Sequence, residues 1–544
     1  MGLPPKERSR LGVRTSPESR AAHATSGVSS VLAWRISQPF FLSALVALAF
    51  AGGILVFLGT RWGADVGWDD SFQYITSAEN LAHGRGLGYS VPNGGVVRLT
   101  HYPPMLPLVL APFEVIGFRA VLVMRWFNIV LFVFTMAMTG TLAYRLTRSR
   151  ASCVVAALLV VLSSAFIKIH TQAMSDGLYL ALSIAGLALL ERYLRGRRTS
   201  FLILSALVIG AAFLTRYVGA SLVLVGCLAL LTDTRRRGAA RAAAVAAFVF
   251  ISTTPMLVWL GYTRAGTNRV AGRLIAWHPI EASFLRSTVD TLYTWFVPGR
   301  LVHGRELLFL LSFILVALLV VVLWLRSDAN RRFRRLRQWA FEPGLAWMLV
   351  VYPFAYYFVF VLSKSLIDDS IFVDDRLLAP ILQVLILALV VVLTRLWRTN
   401  RRIGRAFAVT LFIAVAGLYL SRTYSTVGTL YREGSGYTSR GYHESPAIAL
   451  AQRFAGHPIF TNAVPALYYW TGRVPYSIDP LAETKRRLQE ECGILIVFDS
   501  IPLDLFNLTQ DQVAVGLVVE RTSIADIYSS PSCATQLAPW LNSL

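Results

Sequence analysis

Residues 201–231, "FLILSALVIGAAFLTRYVGASLVLVGCLALL", are almost wholly apolar, with a single charge, Arg216, at their centre. One continuous helix here would place Arg216 in hydrocarbon at a cost of about 2.5–3.5 kcal/mol or more. Both flanks are basic: "ERYLRGRR" (191–198) precedes the run and "TDTRRRGAAR" (232–241) follows it. Short loops rich in Lys and Arg face the cytoplasm. Both flanks therefore belong to one side, and the run must cross the membrane twice. Its turn falls at "LTRYVG" (214–219), which carries Arg216 and Tyr217 to the outer face.

The rest of the chain obeys the same parity. Of its 544 residues 55% are hydrophobic and 15% charged, and the mean hydropathy is +0.56, too apolar for a soluble domain. The apolar residues come in blocks near the roughly 20 residues that span a bilayer, such as "PFFLSALVALAFAGGILVFLGT" (39–60) and "LLFLLSFILVALLVVVLWL" (307–325). In hydrocarbon only helices and closed barrels satisfy the backbone, and blocks this apolar are helices. The first block follows a long polar, basic segment (1–38), has a long core and shows no clear cleavage pattern, so it reads as a retained anchor rather than a signal peptide. Its Arg/Ser-rich lead reads as a disordered cytoplasmic N-terminus.

The net charge of +22 does not indicate a nucleic-acid partner. The Arg residues sit in short runs between apolar blocks, among them "YRLTRSR" (144–150), "RSDANRRFRRLR" (326–337) and "RLWRTNRRIGR" (395–405), which is the cytoplasmic-loop pattern. With the N-terminus inside, crossings are expected at 39–60, 119–144, 151–168, 177–194, twice within 201–231, and at 241–261, 307–325, 345–362, 377–395 and 406–420, about eleven in all. Each strongly basic short loop then lies inside. The first external loop spans 61–118, the membrane-embedded part 39–420, and residues 421–544 form an extracytoplasmic α/β domain. In that domain "AIALAQRF" (447–454) reads as a helix, and "PIFTN", "GILIVFD" and "VAVGLVV" read as strands. Cys492 and Cys533 lie there, where disulfides persist, but two cysteines do not fix a bridge. Cys153 and Cys227 fall within helices as core filler.

Ionisable residues collect at the outer face: Asp69, Asp70, His101, Tyr102, Asp176, Arg216, Lys364, Asp374, Asp375 and Arg376. "DDSFQYITSAENLAHG" (69–84) has Phe72, Ile75, Ala78 and Ala82 at helical spacing and reads as an amphipathic helix on the outer leaflet, ending at Gly84. Asp70 can cap it, with Gln73 closing a capping box; a cap leaves Asp69 unexplained. "LTHYPPMLPLVLAPF" (99–113) reads as a stiff entry into a short helix, with His101 and Tyr102 just before it. Asp176 opens the fourth helix, as a cap or as a functional acid. Arg216 and Arg376, at outer helix ends, either snorkel to headgroups or recognise a phosphate.

Taken together these pieces resemble the polytopic membrane glycosyltransferases of the GT-C superfamily, in the bacterial branch related to protein O-mannosyltransferases and aminoarabinose transferases. That family places an acidic pair on an amphipathic helix, "D-E/D-x-x-x-Y-x-x-x-A-x-x-L-x-x-G", where this chain has "DDSFQYITSAENLAHG". Its "(E)KPP" stands here as "HYPP" (101–104), followed by "SDGLYLALS" (175–183), "TRYVG" (215–219) and "DDRLLAP" (374–380). "PIFTNAVPALYYWTGRVPY" (458–476) looks like the branch's external domain. The resemblance implies a mainly α, transmembrane GT-C fold with a small C-terminal extracytoplasmic α/β domain.

It also implies transfer of a hexosyl or pentosyl group from a polyprenyl-phosphate donor to a glycan, lipid or protein acceptor of the cell envelope. By position Asp69 matches the family's catalytic acid, with Asp70 beside it and Asp176 as a further catalytic candidate. Tyr102 stands where the family has the Lys that meets the lipid phosphate; Arg216, Tyr217, Lys364 and Arg376 are the alternatives for that contact. His101 and His170 are candidates for the acceptor side. One carboxylate base and an Arg clamp suffice for in-line inversion, unlike the two carboxylates of glycosidases. No cofactor is required, although Asp69, Asp70, His101 and His170 could together hold a divalent ion. A transporter or lipid flippase is the competing class, but such proteins usually show repeats and midplane charges, which this sequence lacks.

Overall fold

The computed structural model describes residues 37–67, 69–235, 238–267, 276–297, 344–367, 371–398, 402–454 and 456–541. The expected crossing at 307–325 and the chain before residue 37 lie outside the described residues. In chain order, α1 (Gln38–Gly59) leads to α2 (Asp69–Ala82), an antiparallel ribbon of β1 (Gly88–Ser90) and β2 (Val96–Arg98), and the short apolar α3 (Met105–Val115). Then follow α4 (Ala120–Thr147), α5 (Arg150–Val161), α6 (Ser164–Thr171), α7 (Asp176–Gly196), α8 (Thr199–Thr215) and α9 (Ala220–Thr232). The helical part closes with α10 (Gly238–Thr267), α11 (Ala282–Thr294), α12 (Leu345–Leu366), α13 (Asp375–Arg398) and α14 (Arg402–Glu433).

Among the described residues α1, α4, α7, α10, α12, α13 and α14 are each long and apolar enough to cross a membrane. The pair α5–α6 passes the same test as one span bent by 58°. The α7 helix is the most enclosed, with 78% of its apolar window buried, and it forms the centre of the bundle. The 201–231 run breaks where its charge requires. Arg216 is extended (φ −149°, ψ 139°) and Tyr217–Gly219 form one 3-10 turn. The chain turns so tightly here that a Cβ on Gly219 would lie 2.4 Å from Phe213 Cα. The two halves, 17 and 13 residues long, are shorter than the roughly 20 residues of a perpendicular crossing.

Among the described residues, basic runs gather at one end of the bundle. Arg145 pairs with buried Glu191 at 2.9 Å, and Arg197 forms a two-pronged pair with Asp233. Arg398 donates to the Thr147 carbonyl at 2.6 Å. Runs far apart in sequence thus share one end, as the parity expects.

Residues after α14 build a five-stranded sheet in the order β4–β3–β5–β7–β6, from β3 (Ile459–Thr461), β4 (Tyr476–Ser477), β5 (Ile494–Phe498), β6 (Val518–Arg521) and β7 (Ala525–Ser529). β5 is buried at every position, which is why "GILIVFD" reads as a continuous apolar strand. Cys492 and Cys533 are bridged, with Cα atoms 5.3 Å apart.

Three expectations need correction. α14 runs on to Glu433, beyond the expected end at 420. "VAVGLVV" is not one strand: Gln510–Ala514 is helical under a Thr509–Gln512 capping box, and β6 starts only at Val518. Finally, α2 does not lie on a leaflet. Phe72, Ile75 and Ala78 are buried, but so are Ser71, Thr76, Ser77 and Asn80 on its other faces, because protein surrounds the helix. Asn80 donates to the Gly88 carbonyl at 2.7 Å, and the Phe72 ring meets Tyr468 edge-on, 5.2 Å between centroids.

Candidate active site

The site lies where α2, the 101–104 turn, the start of α7 and the α8–α9 break meet. α2 begins at Asp69, which puts both acids in its first turn, where carboxylates favour the helix dipole. Asp70 is not a cap with Gln73 as its partner. Its Oδ1 accepts a 2.6 Å hydrogen bond from the Tyr102 hydroxyl, and the two prolines after Tyr102 hold that turn against α3. The Tyr102 ring in turn lies 5.5 Å from that of Tyr74, and the Tyr74 and Ser175 hydroxyls are 3.3 Å apart. Next to Ser175, Asp176 does not act as a cap either: its Oδ1 pairs with Arg216 Nη1. This ion pair ties the α8–α9 break to the start of α7, with Asp176 almost completely buried. From Asp70 to Arg216 the contacts are continuous.

Asp69 differs from its neighbour. It is exposed and makes no hydrogen bond or ion pair with any described residue. Removal of water on its protein side, then the adjacent Asp70 charge, push its carboxyl above the usual range. Burial, followed by the Asp70 charge and hydrogen bond, likewise raises the Tyr102 phenol, so the phenol stays a proton donor to Asp70.

The remaining candidates are placed less centrally. Tyr217 accepts a 3.1 Å hydrogen bond from Trp259 Nε1 and lies within electrostatic reach of Tyr74. Arg376 is 3.6 Å from Asp374; both it and Arg216 lie within electrostatic reach of Tyr356 on α12. Lys364 is engaged elsewhere, donating to the Ile371 carbonyl at 3.3 Å and lying over the Phe284 ring. His101 packs edge-on against Tyr102, 4.7 Å between centroids.

His170 is buried behind the start of α7, its Nδ1 2.7 Å from the Phe166 carbonyl and its ring against Phe132. The suggested set of Asp69, Asp70, His101 and His170 therefore does not assemble, and among the described residues no three His, Cys, Asp or Glu side chains gather as a metal site. His170 is held by its own helix and by the Phe132 ring.

Several residues of the site go unsignalled in the sequence reading. Tyr74 sits one turn after Asp70 on α2, at the Tyr position of the quoted motif. Asp65 is buried. Its amide donates to Thr171 and its carbonyl accepts from Ala173, each at 2.8 Å. The Ser435 hydroxyl reaches its Oδ2 at 2.7 Å, and burial raises its carboxyl. The phenol of Tyr437, just after α14, is raised by burial, then by neighbouring Tyr442 and by the charges of Asp69 and Asp65. The C-terminal unit also grips α2 through Tyr468, which donates to Glu79.

Residues 93–260 match the family model described as dolichyl-phosphate-mannose-protein mannosyltransferase, a span that includes Tyr102, Asp176 and Arg216. No curated protein matches the chain. Among solved structures the chain is similar to ArnT from Cupriavidus metallidurans bound to undecaprenyl phosphate, at 12% identity and a TM-score of 0.55, over 91% of this chain and 98% of that one. Looser likenesses include an Archaeoglobus fulgidus oligosaccharyltransferase (12% identity, TM-score 0.49, 85% and 69% of the two chains). Another is the arabinofuranosyltransferase AftD from mycobacteria (16% identity, TM-score 0.45, 91% and 42%). The family match lies inside the helical part and covers less than a third of the chain, and the likeness to ArnT along nearly the whole length shows a shared fold.

Proposed function

We propose that this protein transfers a sugar from a polyprenyl-phosphate donor to an acceptor hydroxyl, with inversion, at the extracytoplasmic end of the bundle. The observation that carries the reading is the division of labour between the two acids. Asp69 is exposed and unbonded to any described residue, while Asp70 is committed to Tyr102. Asp69 takes the acceptor proton as the acceptor oxygen bonds to the anomeric carbon. The carbon–oxygen bond to the phosphate breaks with its electron pair on the phosphate, which leaves without a general acid. Arg216 stabilises that charge. Its Nη1 is fixed by Asp176, while Nε and Nη2 make no bond to a described residue, so the guanidinium is held in place with donors to spare. Arg376, within electrostatic reach of the same Tyr356, adds positive potential.

Support for a lipid-linked donor comes from the ArnT likeness, whose structure holds undecaprenyl phosphate. The basic runs at the opposite end support a cytoplasmic assignment for that end. The C-terminal α/β unit, which follows the end of α14 at Glu433, then lies outside with the acids. The test is reconstitution of the full chain with labelled polyprenyl-phosphate sugars and a cell-envelope extract, reading released polyprenyl phosphate and the anomeric configuration of the product. Consumption of at least one donor with inversion is expected. Retention, or no consumption alongside transbilayer movement of the donor, contradicts the reading.

A further inference from the structure

A second polar site lies away from the acids. At the bend between α5 and α6 the structure encloses a cavity of about 270 Å³ between α6, α11, α13 and α14. None of the residues assigned above to the reaction lines it. Backbone freed by a break at membrane depth must find partners or line a polar cavity; here Thr423 satisfies the Leu162 carbonyl at 2.7 Å.

Several donors in this cavity are left over. α6 starts at the cavity with Ser163 as its N-cap, whose side chain makes no capping bond. The amides of Ser164 and Ala165 donate to no described residue, so the positive end of the helix opens on the space. The Tyr419 hydroxyl is buried in the cavity wall, with the residue 4% exposed, and has no partner among the described residues. The hydroxyls of Ser163, Ser164, Ser425 and Thr426 also bond to no described residue. Both cations and the acid are on the wall, but the acid is already used. Asp375 accepts from Trp295 Nε1 at 2.8 Å and lies 3.9 Å from Lys168 Nζ. Arg422 is turned to the Thr294 and Val297 carbonyls. The hydroxyls can accept as well as donate, so they alone would also suit a neutral sugar; the net positive charge of the wall, with Lys168 and Arg422 against Asp375, is what favours an anion. Five hydroxyls, a helix N-terminus and an ammonium group with a net positive wall fit an acceptor-rich anion.

We propose that this cavity binds a phosphate group, either the head of a membrane phospholipid or free phosphate, separately from the reaction site. The test uses the purified full chain, with Tyr419→Phe and Lys168→Gln as variants that remove one donor each at little steric change. Folding is checked by circular dichroism and gel filtration. One arm measures by native mass spectrometry the binding of phosphatidylglycerol against diacylglycerol, which lacks the phosphate. The other titrates inorganic phosphate and follows the thermal midpoint.

Binding of either phosphate probe, weakened at least about tenfold in both variants but not in Arg216→Ala, is expected. The arm that responds identifies the source. The proposal is overturned if wild type binds neither probe, if diacylglycerol binds as well as phosphatidylglycerol, or if only Arg216→Ala weakens binding.

Discussion

Asp69 and Asp70 are neighbours that differ in what they touch, and the difference predicts how each responds to pH. As a base Asp69 works only when ionised, and its carboxyl is raised by desolvation and by the Asp70 charge. The rate should therefore fall with decreasing pH at a point above the ordinary aspartate value of roughly 3.9. Asp70→Asn removes the like charge, so its remaining activity should show that limb moved to lower pH; a limb that stays put would remove Asp69 as the titrating group. Tyr102→Phe deletes a charge-assisted hydrogen bond worth about 1.5–3 kcal/mol. It should lower kcat/KM by roughly 10- to 100-fold while leaving the fold intact, as read by steady-state kinetics and circular dichroism. The acids themselves were legible as candidates from the sequence, because a doublet just past a membrane anchor calls for a reason. Their partners were not: Tyr102 lies 32 residues from Asp70 and Arg216 lies 40 from Asp176. Local rules offer a helix cap for Asp70 and for Asp176, and only tertiary contact decides otherwise.

At the level of single elements, the α8–α9 break shows why some features could be read and others not. A charge in the middle of an apolar run forces a turn, and the turn is where the sequence puts it. Gly219→Val should place its side chain against the Phe213 backbone, which cannot yield as a flexible side-chain tip would. A loss of at least about 1–3 kcal/mol is expected, together with reduced activity, since Arg216 is positioned by this turn; unfolding curves and transfer assays on the same preparation check it. Wild-type stability in this variant would contradict the close approach. The α5–α6 bend has no such charge to announce it, only Ser163 and Ser164 in an otherwise apolar run. α2 shows a different limit: apolar residues at helical spacing mark a buried stripe, but they do not say whether lipid or protein buries it. The small polar residues Ser71, Thr76, Ser77 and Asn80 on its other faces are compatible with either.

Across the whole molecule, one end carries the paired basic runs and the other carries the acids, with the α/β unit docked over α2. The meeting of the described basic runs at one end was legible because each basic run constrains every segment between it and the next. The disulfide was not, since it depends on where β5 and the residues after β7 meet. Cys492→Ser should cost about 2–4 kcal/mol by releasing a loop with a sequence separation of 41, seen as an earlier unfolding transition that reductant reproduces in wild type.

Asp65, at the junction of the first loop and Ser435, has a carboxyl raised by burial. Its contribution to stability is full below its unfolded value and is lost as pH rises through the folded one. Asp65→Asn should therefore be at least as stable as wild type at neutral pH, by thermal unfolding across a pH series.

The most direct measurement is donor consumption by the reconstituted full chain, compared among wild type, Asp69→Asn and Asp70→Asn on whichever polyprenyl-phosphate sugar proves active. Loss of transfer by at least about a hundredfold in Asp69→Asn, with donor still bound and Asp70→Asn retaining measurable turnover, is the predicted result. Equal transfer in all three proteins would contradict it, leaving both acids as parts of the α2 scaffold rather than of the reaction.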